Sequence, residues 1–261
     1  MMTNHDESKL SVRPLSGETD SRLKALGAAR SVLVATARSL TRIPLLKELA
    51  AVRHRFRNSS SYWERRYRRG GTSGAGSYGR LAEFKAETLN AFVARNGIRS
   101  VIEFGCGDGA QLSLATYPQY VGVDVAKSSV AACRRRFAGD ATKTFYLANR
   151  VPSDIRRFDL ALSLDVIYHL VEDQVYDGYM RTLFAQADRF VVIYSSNKVE
   201  PSDSPHVRHR RFTDWIKLNE PKWQQTGYLP NRYPSDPARS EAETSFADFY
   251  FFEQQTRADA H

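Results

Sequence analysis

The chain contains only two cysteines, Cys106 and Cys133, in 261 residues, too few and too differently placed for a disulfide framework. No run of 18 apolar residues occurs, so nothing is expected to span a bilayer. The opening Met-Met-Thr-Asn-His-Asp-Glu lacks a basic segment followed by an apolar one, so no secretory signal is expected and the expected location is the cytoplasm. No G-K-[ST] follows a glycine-rich stretch, which argues against a phosphate-gripping P-loop. No internal repeat is visible. Acidic residues are scarce at one end only. Residues 1–70 hold 15 Lys+Arg against 6 Asp+Glu, whereas the rest holds 23 of each, so the first 70 residues carry the whole net charge of +9. The neutral remainder lacks the broad basic surface expected of a DNA- or RNA-binding protein, although the N-terminal segment could supply one.

Composition divides the chain into four parts. Residues 1–21 are polar, with Pro14 and Gly17, and are expected to be disordered. Over 22–57 apolar residues recur at helical spacing (Leu23, Leu26, Leu33, Leu40, Leu49, Phe56), interleaved with arginines such as Arg30, Arg38, Arg42 and Arg53. This predicts a basic amphipathic helical extension, broken near Pro44. Such a segment can lie on an anionic membrane or an acidic partner; it can equally pack on the domain or form a homodimer contact with its charges solvated. Residues 58–80 join Tyr62-Trp63-Glu64-Arg65-Arg66-Tyr67 to the glycine-rich Gly70–Arg80. They are read as a lid whose aromatic side chains close on a ligand, or as a plain linker. Residues 81–261 alternate helix and strand patterns as a doubly wound α/β sheet should.

The most informative segment is Glu103-Phe-Gly105-Cys-Gly107-Asp-Gly109, between the apolar Val101-Ile102 and a stretch from Ala110 to Leu114 read as the start of a helix. Glycines let the backbone turn tightly and approach a ligand where a Cβ would collide. A second short strand, Tyr120-Val-Gly-Val-Asp124, ends in a carboxylate where a βαβ unit places an acceptor for ribose hydroxyls. Dinucleotide sites read G-x-G-x-x-G; here the glycines alternate as G-x-G-x-G, with an acid two residues upstream and no third glycine spaced for a pyrophosphate.

The pattern E-x-G-x-G-x-G followed by Asp124 resembles the class I S-adenosylmethionine-dependent methyltransferases, over roughly residues 60–255. The resemblance implies a Rossmann-like, seven-stranded doubly wound sheet and S-adenosyl-L-methionine as cofactor. It implies that Gly105, Cys106, Gly107 and Gly109 pass under the methionine part, with Cys106 a small residue that fits. Glu103 then helps to hold that part, and Asp124 accepts both ribose hydroxyls. Contacts to the adenine are expected near Asn149 after the third strand. The run Ser163-Leu-Asp165-Val-Ile-Tyr168-His169 after the fourth is expected to face the sulfonium and the acceptor. The Trp-Glu-x-x-Tyr stretch and Tyr78-Gly-Arg-Leu-Ala-Glu-Phe-Lys look like the opening segment of bacterial methyltransferases of glycan and cell-surface biosynthesis.

Methyl transfer to a hydroxyl needs alignment and a base. His169, with an ordinary pKa of about 6.5, is the candidate general base, and Asp165 is the second candidate catalytic group. A metal route would use Asp165 and Asn197, as metal-dependent O-methyltransferases do, but Ser195-Ser196 stands where a second acid belongs. His206-Val-Arg208-His209-Arg210-Arg211 lacks acidic or thiolate partners for Zn²⁺ and is read as substrate contacts or a solvated loop. Asn/Asp-Pro-Pro-Tyr and the double-glutamate loops of protein-arginine enzymes are absent. The reading is therefore O-methylation of a hydroxyl on a sugar, glycan or other polar biosynthetic intermediate. Its alternatives are N-methylation of RNA or a small amine, and a cofactor-binding scaffold without turnover.

Overall fold

The computed structural model describes residue 56 and residues 58–255. Apart from Phe56, the expectations for the polar tail and the basic extension fall outside the described residues. Two helices come first, α1 (Ser59–Arg68) and α2 (Gly79–Arg95). There follow β1 (Ser100–Phe104), β2 (Gln119–Asp124), α3 (Lys127–Arg136), β3 (Lys143–Leu147), β4 (Phe158–Leu164), α4 (Asp173–Ala185) and β5 (Ala187–Ser195). The chain continues through α5 (Phe212–Asn219), β6 (Trp223–Leu229) and β7 (Asp248–Gln254).

The seven strands form one sheet in the order β3-β2-β1-β4-β5-β7-β6. The first five strands run parallel, and β7 pairs antiparallel with both β5 and β6. The winding reverses between β1 and β4, so a crevice opens at the carboxyl ends of these two strands. That crevice is where this sheet can hold a ligand.

Side-chain alternation sets which groups face which layer. Val101 of β1 joins Leu160, Leu162 and Val192 against Phe84, Leu89 and Val93 of α2. Ile102 and Phe104 join Ala161, Val191 and Ile193 against Met180, Leu183 and Phe184 of α4, and against Phe212 and Ile216 of α5. Each fully buried side chain of this size contributes about 1.5–3 kcal/mol. By the same alternation Glu103 shares the α2 side of the sheet with Val101, although it is a carboxylate only 4% exposed. A buried charge in a core strand calls for a partner or a ligand.

One local expectation changes, one holds, and one helix is new. The helix expected from Ala110 is only a 3₁₀ turn, Gln111–Leu114. Leu112 and Tyr117 are both buried, and Asn90 Oδ1 accepts from the Thr116 amide, so the chain must extend at once to reach Pro118 and β2. The tail, whose sequence alternates near Trp223–Leu229 and again over Ser245–Glu253 as a terminal antiparallel hairpin would, does pair antiparallel, with residues 230–247 as the connection. Helix α5 was not anticipated, although Phe212 and Ile216 are spaced one helical turn apart and both are buried.

Candidate cofactor and active site

A cavity occupies the crevice. Its floor is the end of β1 and the loop beyond it (Glu103, Phe104, Gly105, Cys106, Gly107), with Asp124 ending β2, Val125 beyond it, and Asp165, Val166 and His169 after β4. One wall is Lys85 of α2 with Gln111 of the 3₁₀ turn, and Ser59, Trp63, Tyr67, Ser73 and Ser77 cover it from the amino-terminal side.

The covering segment is tied down by its own polar side chains. Asn58 caps α1, its Oδ1 accepting from the Ser61 amide at 2.8 Å. The Ser59 amide and hydroxyl donate to Glu172 at 2.9 and 2.5 Å. Glu64 Oε1 accepts from the Ser128 hydroxyl at 2.7 Å in the first turn of α3, where a helix favours negative charge. Further on, the Ser73 amide and the Tyr78 hydroxyl both donate to Asp108 Oδ2, while Ser73 Oγ accepts from the Asp108 amide. The glycine-rich stretch is thereby buttoned onto the β1 loop.

All three loop glycines have positive φ, a conformation costly for other residues. What a Cβ would strike differs from the sequence-based reading. At Gly107 it would overlap Ser73 Oγ and come within 3.1 Å of the Tyr67 hydroxyl; at Gly105 it would overlap Val166. These glycines let the covering segment and the β4 loop close onto the β1 loop. Gly109 lies off the cavity, against Phe137 and Cys133.

Asp124 is 6% exposed. Its Oδ2 accepts from the Gly107 amide at 2.9 Å and its Oδ1 from the Ala126 amide at 2.8 Å, so the acid itself holds the loop. Burial pushes its pKa up to about 6, against the pull of those amides. Burial raises Glu103 to about 7, opposed by the Tyr120 hydroxyl, which donates to Oε2 at 2.6 Å, and by Lys85. Two carboxylates held this far from water are poised to gain when a cationic or hydroxyl-bearing ligand arrives.

After β4, Asp165 has φ 58, the sole positive φ outside glycine among the described residues. Lys85 Nζ donates to its Oδ2 at 2.6 Å and the Tyr168 hydroxyl to its Oδ1 at 2.9 Å. Strain of this kind persists where the surroundings over-determine it. His169 lies edge-on to Trp63 at 4.8 Å, and its Nδ1 is 3.0 Å from the His206 carbonyl oxygen. A carbonyl only accepts, so Nδ1 carries the proton and Nε2 keeps a lone pair. Burial lowers the His169 pKa to about 4 rather than the ordinary 6.5, with the His206 carbonyl pulling the other way.

The structure thus gathers Glu103, Gly105, Cys106, Gly107, Asp124, Asp165 and His169 around one cavity. Ser163 stands behind it, fully buried and accepting from the Tyr179 hydroxyl at 2.7 Å, which positions a cavity-lining ring. Asn149 is exposed on the 3₁₀ turn after β3, whose Ala148 reaches the cavity instead. The Cys106 thiol is buried and held well above its ordinary pKa by its neighbour Cys133 and by burial, the state of a packed thiol. Among the described residues no group of three or more His, Cys, Asp and Glu side chains could hold a metal ion. Asn197 bonds Thr213, and a cation at Asp165 would have to displace the Lys85 ammonium. The arginines of the His206–Arg211 run are engaged too: Arg208 and Arg210 bind Asp173 at 3.0 and 2.7 Å, and His209 meets Ser196 at 2.7 Å. Sequence reading missed Lys85 and Gln111. A lysine within the apolar stripe Leu81, Phe84, Leu89, Val93 was the available signal for the first.

Residues 102–189, from β1 to β5, match the methyltransferase domain family. The fold is that of the class I methyltransferases. The chain is similar to the N-methyltransferase NodS from Bradyrhizobium japonicum WM9 in complex with S-adenosyl-L-homocysteine, with a TM-score of 0.59 and 14% identity over 77% of this chain and 100% of that one. Magnesium protoporphyrin IX methyltransferase from Synechocystis PCC 6803 with bound S-adenosyl-L-homocysteine gives 0.53 and 16% over 76% and 96%. The methyltransferase domain of bacterial CtHen1 gives 0.52 and 21% over 66% and 97%. No curated protein matches the chain. Among the described residues no helix is long and apolar enough to cross a membrane.

Proposed function

We propose that this chain is an S-adenosylmethionine-dependent methyltransferase acting on a hydroxyl oxygen of a sugar, a glycan or another polar biosynthetic intermediate. The observation that carries the oxygen acceptor is His169: a neutral imidazole in the cavity wall, its proton fixed on Nδ1 by the His206 carbonyl. A hydroxyl is a poor nucleophile until a base takes its proton as the new bond forms.

The residues present fit the cofactor. Asp124 offers a buried carboxylate to the two ribose hydroxyls, and Glu103 offers one to the cationic end of the methionine moiety. The cofactor supplies an electrophilic methyl group on a sulfonium. Bound there, it would give up that methyl group to the acceptor oxygen and keep the electron pair of the broken carbon–sulfur bond on sulfur. The acceptor proton passes to His169 Nε2. Asp165, held by Lys85 and Tyr168, is a fixed acceptor beside that path, and Trp63 shields the imidazole from water.

Incubating the protein with S-adenosylmethionine labelled in the methyl group, against panels of sugars and nucleotide sugars, small amines and tRNA, tests this reading. Label is expected in a base-stable ether of the sugar panel. Label only in amines or RNA would replace the acceptor. Cofactor binding with no transfer to any panel or cell extract would favour a scaffold.

A further inference from the structure

We infer that Gln111 is a cofactor-recognition residue whose side-chain oxygen accepts a hydrogen bond from the α-ammonium of the amino-acid head. The inference rests on reading the cavity as an S-adenosylmethionine site. Gln111 lines the cavity, and its Oε1 is buried with no hydrogen-bond partner. The amide cannot be turned to remove that vacancy. Nε2 donates to the Ala82 carbonyl at 3.0 Å, and exchanging the two atoms would set oxygen against oxygen. The orphan acceptor is therefore imposed by the backbone of α2.

A buried acceptor without a partner is costly unless a ligand supplies the donor. The neighbours say which donor. Ala82 lies one helical turn before Lys85, so Gln111 and Lys85 sit along one face of α2, facing the end of β1 that carries Glu103. Glu103 is close enough to Lys85 and Asp165 for both charges to act on it. This end of the cavity thus combines a neutral acceptor, a carboxylate and an ammonium whose three donors are not all used on Asp165. A group bearing several N–H donors beside a carboxylate satisfies all three, and an α-amino acid is that group. Asp124, whose charge also acts on Glu103, suits hydroxyls. The 3₁₀ turn matters here: it is the irregular stretch after the glycine loop that brings Gln111 against α2.

The test compares the full-length protein with Gln111→Met by calorimetric titration of three probes. These are S-adenosylhomocysteine, its analogue lacking the amino group, and 5′-methylthioadenosine, which lacks the whole amino-acid head. Gln111→Met is expected to weaken S-adenosylhomocysteine about tenfold or more, as loss of a hydrogen bond to a charged group does. Affinities for the other two probes should stay within about twofold, because neither carries the ammonium. Equal loss for all three would show that Gln111 only shapes the turn, and unchanged S-adenosylhomocysteine binding would remove it from the site; either result overturns the inference. If wild type binds none of the probes, the cofactor reading itself fails, which is a different outcome. Circular dichroism on each variant confirms the fold. Should Gln111→Met not fold, the wild type itself should bind S-adenosylhomocysteine about tenfold or more tighter than the analogue lacking the amino group, and a difference within about twofold would overturn the role.

Discussion

Lys85 Nζ lies 2.6 Å from Asp165 Oδ2, joining a lysine only 1% exposed on helix α2 to a left-handed aspartate at the end of strand β4. No sequence motif links the two. The pair fixes the geometry of the β4 side of the cavity, because the Asp165 backbone conformation is one that few residues adopt without being held.

Removing one partner should therefore cost more than removing both. Lys85→Met is expected to destabilise the protein by about 3–5 kcal/mol, as loss of one member of a buried ion pair does. Combining it with Asp165→Asn, which tolerates the left-handed backbone, should recover part of that loss. Urea unfolding of the single and double variants measures the coupling. Strictly additive effects would mean that the contact contributes nothing.

Asp124 and Glu103 predict how cofactor binding depends on pH. Both acids are raised by burial, to about 6 and about 7, and both must be ionised to serve a cationic, hydroxyl-bearing ligand. Lowering pH through 7 and then 6 protonates them, so affinity should fall on acidification, whereas it should be flat above about pH 8. Asp124→Ala should weaken binding by about 1.5–3 kcal/mol and leave a shallower acid limb, owed to Glu103 alone. A pH-independent dissociation constant in wild type would contradict the placement of both carboxylates.

His169 should behave differently from an ordinary histidine. With its pKa lowered to about 4, it stays neutral well into the acid range. At saturating cofactor, kcat should hold level from pH 8 to about 5 and decline only near 4. His169→Ala should lower kcat by about 10²–10⁴-fold with little change in cofactor affinity. The sign for stability follows from the same burial: between about 4 and 6.5 the unfolded chain takes up the proton first, so this residue contributes a loss of stability as pH falls through that window. An acid limb in kcat centred at 6.5, or near-normal turnover of the variant, would reassign the base.

Much of this was legible before any tertiary contact was known. Strand and helix periods depend on neighbours a few residues apart, and so β1, β2 and the loop Glu103–Gly109 stand where the pattern put them. The spacing of Asp124 after the glycines, the concentration of positive charge in the first 70 residues and the shortage of cysteine are also properties of the chain alone. Tertiary structure decided the rest, because the rest depends on distance across the fold. It turned the expected helix after the glycine loop into a single turn, since Tyr117 had to reach the core. It gave Gly107 and Gly105 protein neighbours to accommodate, moved Asn149 to the surface and Ser163 behind the cavity. It also buried His169 until its titration left the neutral range. Lys85 and Gln111 became site residues only when α2 packed beside β1 and β4, a juxtaposition that no local spacing encodes.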